Sequence, residues 1–153
     1  MSLQFRPATV ADLSAVVSLL QVRELPVDGF ADLLRAHPHH VLLAELNGAI
    51  VGSAALDVFD TDALLRSVAV ARDLATLGVG TRLVTDLMAL AQRDGVRAVY
   101  LLTTTADRWF PRFGFEVIDR VDVPAALAST IEFTKACPSS AIAMRHQFPD
   151  HHT

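Results

Sequence analysis

The stretch from Leu64 to Leu90, LLRSVAVARDLATLGVGTRLVTDLMAL, constrains the fold more than any other. Its first part, through Val70, is apolar enough to be a buried strand. A loop ending in Gly78-Val79-Gly80 follows. From Thr81, the residues Leu83, Val84, Leu87, Met88 and Ala91 recur at spacings of three and four, which predicts an amphipathic helix closed near Asp94-Gly95. Backbone N–H groups at the entrance of such a helix lack intrahelical partners and carry partial positive charge. The junction can therefore hold a phosphate; equally, it can be no more than a packed turn.

A chain of 153 residues suffices for a single domain, 1–153, whose core needs no staples. With 52% hydrophobic and 20% charged residues it is core-rich and unlike a disordered polypeptide. No apolar run reaches the ~18 residues of a membrane span. The start, Met1-Ser2-Leu3-Gln4-Phe5-Arg6-Pro7, has no basic segment leading into an apolar one, so no signal peptide is expected and the cytoplasm is the default location. A net charge of −4 argues against nucleic acid as the partner. One cysteine, Cys137, excludes an intrachain disulfide and a multi-thiolate metal site.

Along the chain, residues 3–7 predict a first strand. Thr9-Val10-Ala11-Asp12 has the spacing of a capping box, opening a helix to about residue 22 through Val10, Leu13, Val17 and Leu20. Leu25-Pro26-Val27-Asp28-Gly29 breaks it, and a short helix follows through Ala31–Arg35. His39–Leu46 and Ala49–Val58 predict a hairpin about Asn47-Gly48. Asp60-Thr61-Asp62 turns into the fourth strand. After the long helix come a buried strand over Arg97–Thr103, a helical segment with Trp109 and Phe110, and a strand opening at Gly114-Phe115. A helix over 123–135 and a strand over Ser140–Phe148 follow, with 149–153 a frayed tail. The order βααβββαβαβαβ implies an α/β (α+β) domain around one mixed, mostly antiparallel sheet flanked by helices, with a parallel crossover through the long helix.

This order resembles the GCN5-related N-acetyltransferase family, with Val68-Ala69-Val70 leading to Gly78-Val79-Gly80 and later Phe113-Gly114-Phe115. More narrowly, Leu65-Arg66-Ser67-Val68-Ala69-Val70, Tyr100-Leu101-Leu102-Thr103-Thr104-Thr105-Ala106, Glu132-Phe133, and Cys137-Pro138 with Ser140-Ala141 are similar to the arsenic-resistance N-acetyltransferase branch. The resemblance implies an acyl-CoA N-acyltransferase fold that uses acetyl-CoA as cosubstrate and no metal. It implies pantetheine contacts from the backbone of Val68 and Val70, and pyrophosphate contacts from the backbone around Leu77, Gly78, Val79, Gly80 and Thr81. A bulge in the fourth strand would aim an N–H at the thioester oxygen. The expected partner is a small-molecule amine, with neither nucleic acid nor membrane involved, and a homodimer is compatible with the reading. Two departures stand out. Ala75-Thr76-Leu77 replaces the usual Arg/Gln-Gly-x, and Phe110 stands where many members carry a tyrosine that protonates the leaving thiolate.

On the acceptor side, a two-residue turn at Asp60-Thr61 pairs residue 57 with 64, placing Asp57 on the face of Leu64 and Arg66. Asp57 is then a candidate base or ammonium anchor and Arg66 a carboxylate clamp for an amino-acid-like substrate, or an arsenic- or phosphorus-containing analogue. The alternative is a structural Asp–Arg pair or a solvated hairpin flank. Glu45 should pair with Ile50 on the other face. Thr103–Thr105 can meet the cofactor arm or cap the strand end, and Tyr100 is either a stand-in acid or a packed aromatic. His37, His39 and His40 surround Pro38, but no acid or thiol joins them in sequence, so a solvated loop is expected. Against the enzyme stand two rival readings: a catalytically weak CoA-binding or ligand-sensing module, and an interaction subunit that keeps the fold without the cofactor.

Overall fold

The computed structural model describes residues 3–74, 77–130 and 140–149. Strand β1 (Leu3–Pro7) leads through a 3₁₀ turn, Val10–Asp12, into α1 (Leu13–Val22) and α2 (Phe30–Ala36). A meander β2 (Val41–Leu46), β3 (Ala49–Phe59) and β4 (Asp62–Val70) follows. The long helix α3 (Val79–Arg93) then delivers β5 (Ala98–Thr103). Strand β6 (Glu116–Ile118), the short α4 (Ala125–Ala128) and β7 (Ile142–Gln147) complete the described elements. The strands form one sheet in the order β1-β2-β3-β4-β5-β7-β6, and β4 and β5 are the parallel pair, as the crossover requires.

The register comes out as the turns dictate. Asn47 (φ 51°) and Gly48 (φ 84°) both adopt the left-handed conformation a two-residue hairpin turn needs, and Glu45 pairs with Ile50. Phe59 pairs with Asp62 and Asp57 with Leu64. Beyond Ala55↔Arg66 the pairing shifts to Ser53↔Ala69, so β4 carries one extra residue there, and Ser67 takes φ 58° within the bulge.

Apolar residues cover both faces. On one, α3 sets Leu83, Val84, Leu87 and Met88 against Leu56, Leu65, Val99 and Leu101. Burial of each such side chain favours folding by ~1.5–3 kcal/mol. Gly52 lets the helix close on the sheet, since a Cβ there would lie 3.0 Å from both Leu83 Cδ1 and Val79 Cγ1. On the other face α1 and α2 bury Val16, Leu20, Phe30 and Leu34 against Leu43 and Ala55. A smaller cluster joins Leu64 and Tyr100 to Val123 and Leu127.

Several boundaries move. Strand β2 starts at Val41, not His39, because Pro38–His40 forms a 3₁₀ turn whose Pro38 carbonyl accepts from Val41 N–H. Helix α3 starts at Val79, with Gly78 (φ 75°) as its cap, because Gly80 in the first turn is tolerated where the helix is fixed by packing. The capping box is carried by Asp12. Its carboxylate accepts from Thr9 N–H at 2.8 Å and from the Thr9 hydroxyl at 3.1 Å, so that hydroxyl donates. Strand β6 opens at Glu116, after Gly114 (φ 90°) has ended a 3₁₀ turn over Phe110–Phe113. The helix expected over 123–135 spans Ala125–Ala128. Residues 131–139, with Glu132-Phe133 and Cys137-Pro138, lie outside the described residues, as do 75–76 and 150–153. No described helix is long and apolar enough to cross a membrane.

Candidate active site

The parallel strands β4 and β5 pair only over Asp62–Leu64 with Ala98–Tyr100. Past Leu64 they separate, and the wedge between them opens into a cleft of ≈ 1160 Å³. Among the described residues no strand pairs with Arg66–Val70 on the cleft side, so the backbone of Val68 and Val70 presents an open edge to an extended ligand. Leu101–Thr105 face it from β5 and the turn beyond.

One end of the cleft is the entrance of α3. Gly78, Gly80 and Thr81 line it. The first intrahelical bond runs from Arg82 N–H to Gly78 O at 3.0 Å, so the N–H groups of Val79, Gly80 and Thr81 precede the ladder. Gly80 is needed for close approach: a Cβ there would sit 3.3 Å from Val70 and 3.4 Å from Trp109. The Val79 side chain is buried in the core, which leaves its backbone N–H for the expected contact, while Leu77 is 60% exposed and outside the cleft lining. Residues Ala75 and Thr76 lie outside the described residues. Arg82 is engaged away from the cleft, pairing with Asp86 at 2.8 Å and covering the Phe5 ring. Among the described lining residues the cation beside Trp109 at this end is Arg112, which the sequence reading missed. Its Nε donates to Trp109 O at 2.9 Å, its guanidinium lies 5.4 Å from the Trp109 ring centroid, and both residues line the cleft.

Toward the α1–α2 side the cleft holds Arg66, 6% exposed. Its guanidinium donates to the Asp28 carbonyl at 2.8 Å and to the Ser67 hydroxyl at 3.2 Å. The loop between α1 and α2 therefore covers it. Asp57 shares its face of the sheet, as the register required, but does not line the cleft. Burial pushes the Asp57 carboxyl above its ordinary range, while Arg66 and His37 pull partly the other way. Tyr100 is packed with Leu64 and Leu127, away from the cleft. Glu45 pairs with Arg6 at 2.9 Å. The Thr103 hydroxyl accepts from Ala106 N–H at 2.9 Å, so it caps the strand end while its residue still faces the cleft.

Among the described lining residues the single carboxylate is Glu24, which the sequence reading passed over. Glu24 ends α1 in the left-handed conformation (φ 58°), with Leu25 N–H reaching back to Leu20 O at 2.9 Å. Glycine is usual at such a position, and a side chain there costs ~1–2 kcal/mol. Among the described residues, the non-glycine residues at positive φ besides Glu24 are Ser67, also at the cleft, and two hairpin-turn residues, Asn47 and Asp60. A helix that ends at Arg23-Glu24 without glycine is the signal that marks the site. Ser67 is held by its own carbonyl, which accepts from the Ser53 hydroxyl at 2.7 Å.

Comparison with known proteins agrees with this geometry. The profile of the Acetyltransferase (GNAT) family matches residues 10–115. Among curated proteins, the amino-acid acetyltransferase of Aeromonas salmonicida is 30% identical over 128 residues, 79% of this chain and 28% of the relative. That of Ectopseudomonas mendocina is 29% identical over 135 residues, 85% of this chain and 31% of the relative. The chain thus spans less than a third of the length of these relatives. Among solved structures, N-acetylglutamate synthase from Neisseria gonorrhoeae, complexed with coenzyme A and N-acetyl-glutamate, superposes with a TM-score of 0.81 at 19% identity, covering 98% of this chain and 36% of that one. Rv2747 from Mycobacterium tuberculosis, in complex with CoA, superposes with a TM-score of 0.79 at 22% identity, covering 95% and 99%.

Proposed function

Because the chain belongs to the GNAT family of acetyltransferases, we propose that it moves the acetyl group of acetyl-CoA to the primary amine of an amino acid. One observation carries the reading: the split between β4 and β5 joins an open helix entrance at one end to a buried guanidinium at the other. The pantetheine arm extends along the edge of Val68 and Val70. The pyrophosphate meets the N–H groups from Gly78 to Thr81, and Arg112 supplies the charge that the loop's own side chains do not. The arm then leads the thioester towards the bulge at Ser67.

At the other end Arg66 holds the carboxylate of the acceptor. Glu24, within the same cleft, anchors the ammonium and takes its proton, directly or through water. Asp57 stays behind Arg66 as the deeper carboxylate; its base role requires water to relay the proton. The neutral nitrogen attacks the thioester carbonyl, the C–N bond forms, and the tetrahedral oxyanion rests on a backbone N–H of the bulge. Collapse breaks the C–S bond, and the second proton of the attacking nitrogen leaves to water. The leaving thiolate has a conjugate thiol of pKa ~8.5 and takes a proton from water, so Phe110 in place of a phenol slows the step without forbidding it.

The relatives described above are named for amino acids, which favours a plain amino acid over an arsenic- or phosphorus-containing analogue. The catalytically weak, ligand-sensing alternative is favoured by Phe110 alone. Release of free thiol from acetyl-CoA, measured over amino acids, their amides and their phosphinic and arsinic analogues, separates these readings. Turnover with free α-amino acids and not with their amides supports the proposal. Binding of acetyl-CoA without turnover supports the sensor, and turnover confined to the analogues supports the arsenic branch.

A further inference from the structure

The connection between α2 and β2 brings three histidines together. His37, His39 and His40 each offer a ligand atom, and these atoms all lie within 4.8 Å of one another. The His39 and His40 ring centroids are 4.1 Å apart, and His37 stacks on His40 at 5.3 Å. We propose that His37, His39 and His40 bind one divalent first-row transition-metal ion through three imidazole nitrogens.

His40 carries the argument. It is 9% exposed, and its Nδ1 is buried without a hydrogen-bond partner. A buried polar atom left unpaired costs ~1–3 kcal/mol, so such an atom calls for an occupant. On the other side of the ring, Nε2 faces the Asp94 carboxylate at 3.9 Å. That distance is too long for a hydrogen bond, but the negative charge favours the proton on Nε2 and the lone pair on Nδ1, the arrangement in which a carboxylate orients a metal-bound histidine. Asp94 comes from the cap of α3, far away in sequence, which is why His-Pro-His-His alone does not reveal the site.

The chemistry of the donors selects the ion. Among the described residues three nitrogens gather with no thiolate and no oxygen cage, which suits Zn(II), Co(II), Ni(II) or Cu(II) and not Mg(II) or Ca(II). Zn–N bonds of ~2.0–2.1 Å set tetrahedral N···N distances of about 3.4 Å, so the widest separation closes by about 1.4 Å. His37 and His39 are exposed and free to rotate that far, while Pro38 between them fixes the backbone. Water completes the coordination. The ion would fasten the end of α2 to the start of β2 and to the C-terminus of α3.

The test uses the full chain, stripped with chelator and free of CoA, whose thiol also binds metal. Calorimetric titration with Zn(II) and visible spectra on adding Co(II) should both give one ion per chain, with imidazole-type Co(II) bands. His39→Ala changes an exposed residue and leaves the core intact, as its melting curve will verify. It should weaken Zn(II) binding by ~100-fold or more, and Asp94→Asn by ~10-fold. The variant with both His151→Ala and His152→Ala should bind as the unaltered chain does. No binding at millimolar Zn(II), unchanged affinity in His39→Ala, or loss of binding in the variant lacking the terminal histidines would each overturn the proposal.

Discussion

Replacing Arg66 with alanine tests the acceptor end of the cleft. The guanidinium is 6% exposed and already fixed by the Asp28 carbonyl at 2.8 Å and the Ser67 hydroxyl at 3.2 Å, so it is held in place before any substrate arrives. Removing one partner from a desolvated charge pair costs ~2–5 kcal/mol. Water entering the vacated volume offsets part of that loss, which leaves about 2–3 kcal/mol, or roughly 30- to 150-fold in kcat/KM at 1.36 kcal/mol per decade. The loss should fall on KM for the amino acid and leave KM for acetyl-CoA unchanged. Arg66→Lys keeps the charge without the two-pronged geometry and should lose about tenfold. The control is the amino-acid amide, on which the unaltered enzyme should already be slow and Arg66→Ala should lose little more. Melting curves of both variants separate this from loss of the fold, since Arg66 also ties down the α1–α2 loop. Equal losses on acid and amide, or an unchanged KM, would refute the clamp.

Glu24→Gly exchanges a strained residue for the one its backbone favours. Relief of ~1–2 kcal/mol, less ~0.5–1 for the freer unfolded chain, predicts a gain of about 0.5 kcal/mol in denaturant unfolding together with a fall in turnover. Gly52→Ala places a methyl 3.0 Å from Leu83 and Val79 and 3.2 Å from Ala44, and overpacking of this kind should cost about 1–3 kcal/mol in the same assay. The Arg6 guanidinium, through hydrogen bonds of 2.9 Å, holds the Asp12 carboxyl well below the usual carboxylate range, with Thr9 adding to the effect. A lowered folded-state pKa gives stability that is present above the ordinary carboxylate value and is lost as pH falls towards the folded one. Asp12→Asn should therefore flatten the acid limb of the stability–pH curve.

How much of this was legible in the sequence depended on whether the cause was local. The pairing of Asp57 with Leu64 follows from a two-residue turn, and the amphipathic face of α3 from its own spacing, so both could be read directly. The extra residue at Ser67 does not show in the pattern of β4, where Ala63–Leu65 and Val68–Val70 are apolar at every position; the family resemblance alone implies a bulge there, and pairing with the partner strand locates it. The bulge resets which side chains share the Arg66 face, and beside it the strands part. Asp57, expected as base or ammonium anchor, shares the Arg66 face as the turn dictates but lies outside the cleft lining, since strand register says nothing about where a sheet splits. Glu24 and Arg112 reach the cleft from a helix end and a 3₁₀ turn. Their positions are set by tertiary packing, and the loop reading around Ala75-Thr76-Leu77 looked for charge only among neighbours in sequence.

Calorimetric titration with acetyl-CoA tests the central claim most directly, because every step of the proposed chemistry begins with the cofactor in the split between β4 and β5. One molecule should bind per chain with a Kd near the micromolar range, equivalent to about −8 kcal/mol. Affinity should fall with rising salt and fall further in Arg112→Ala. The absence of binding at millimolar acetyl-CoA, by a chain whose melting curve shows it folded, would contradict the account.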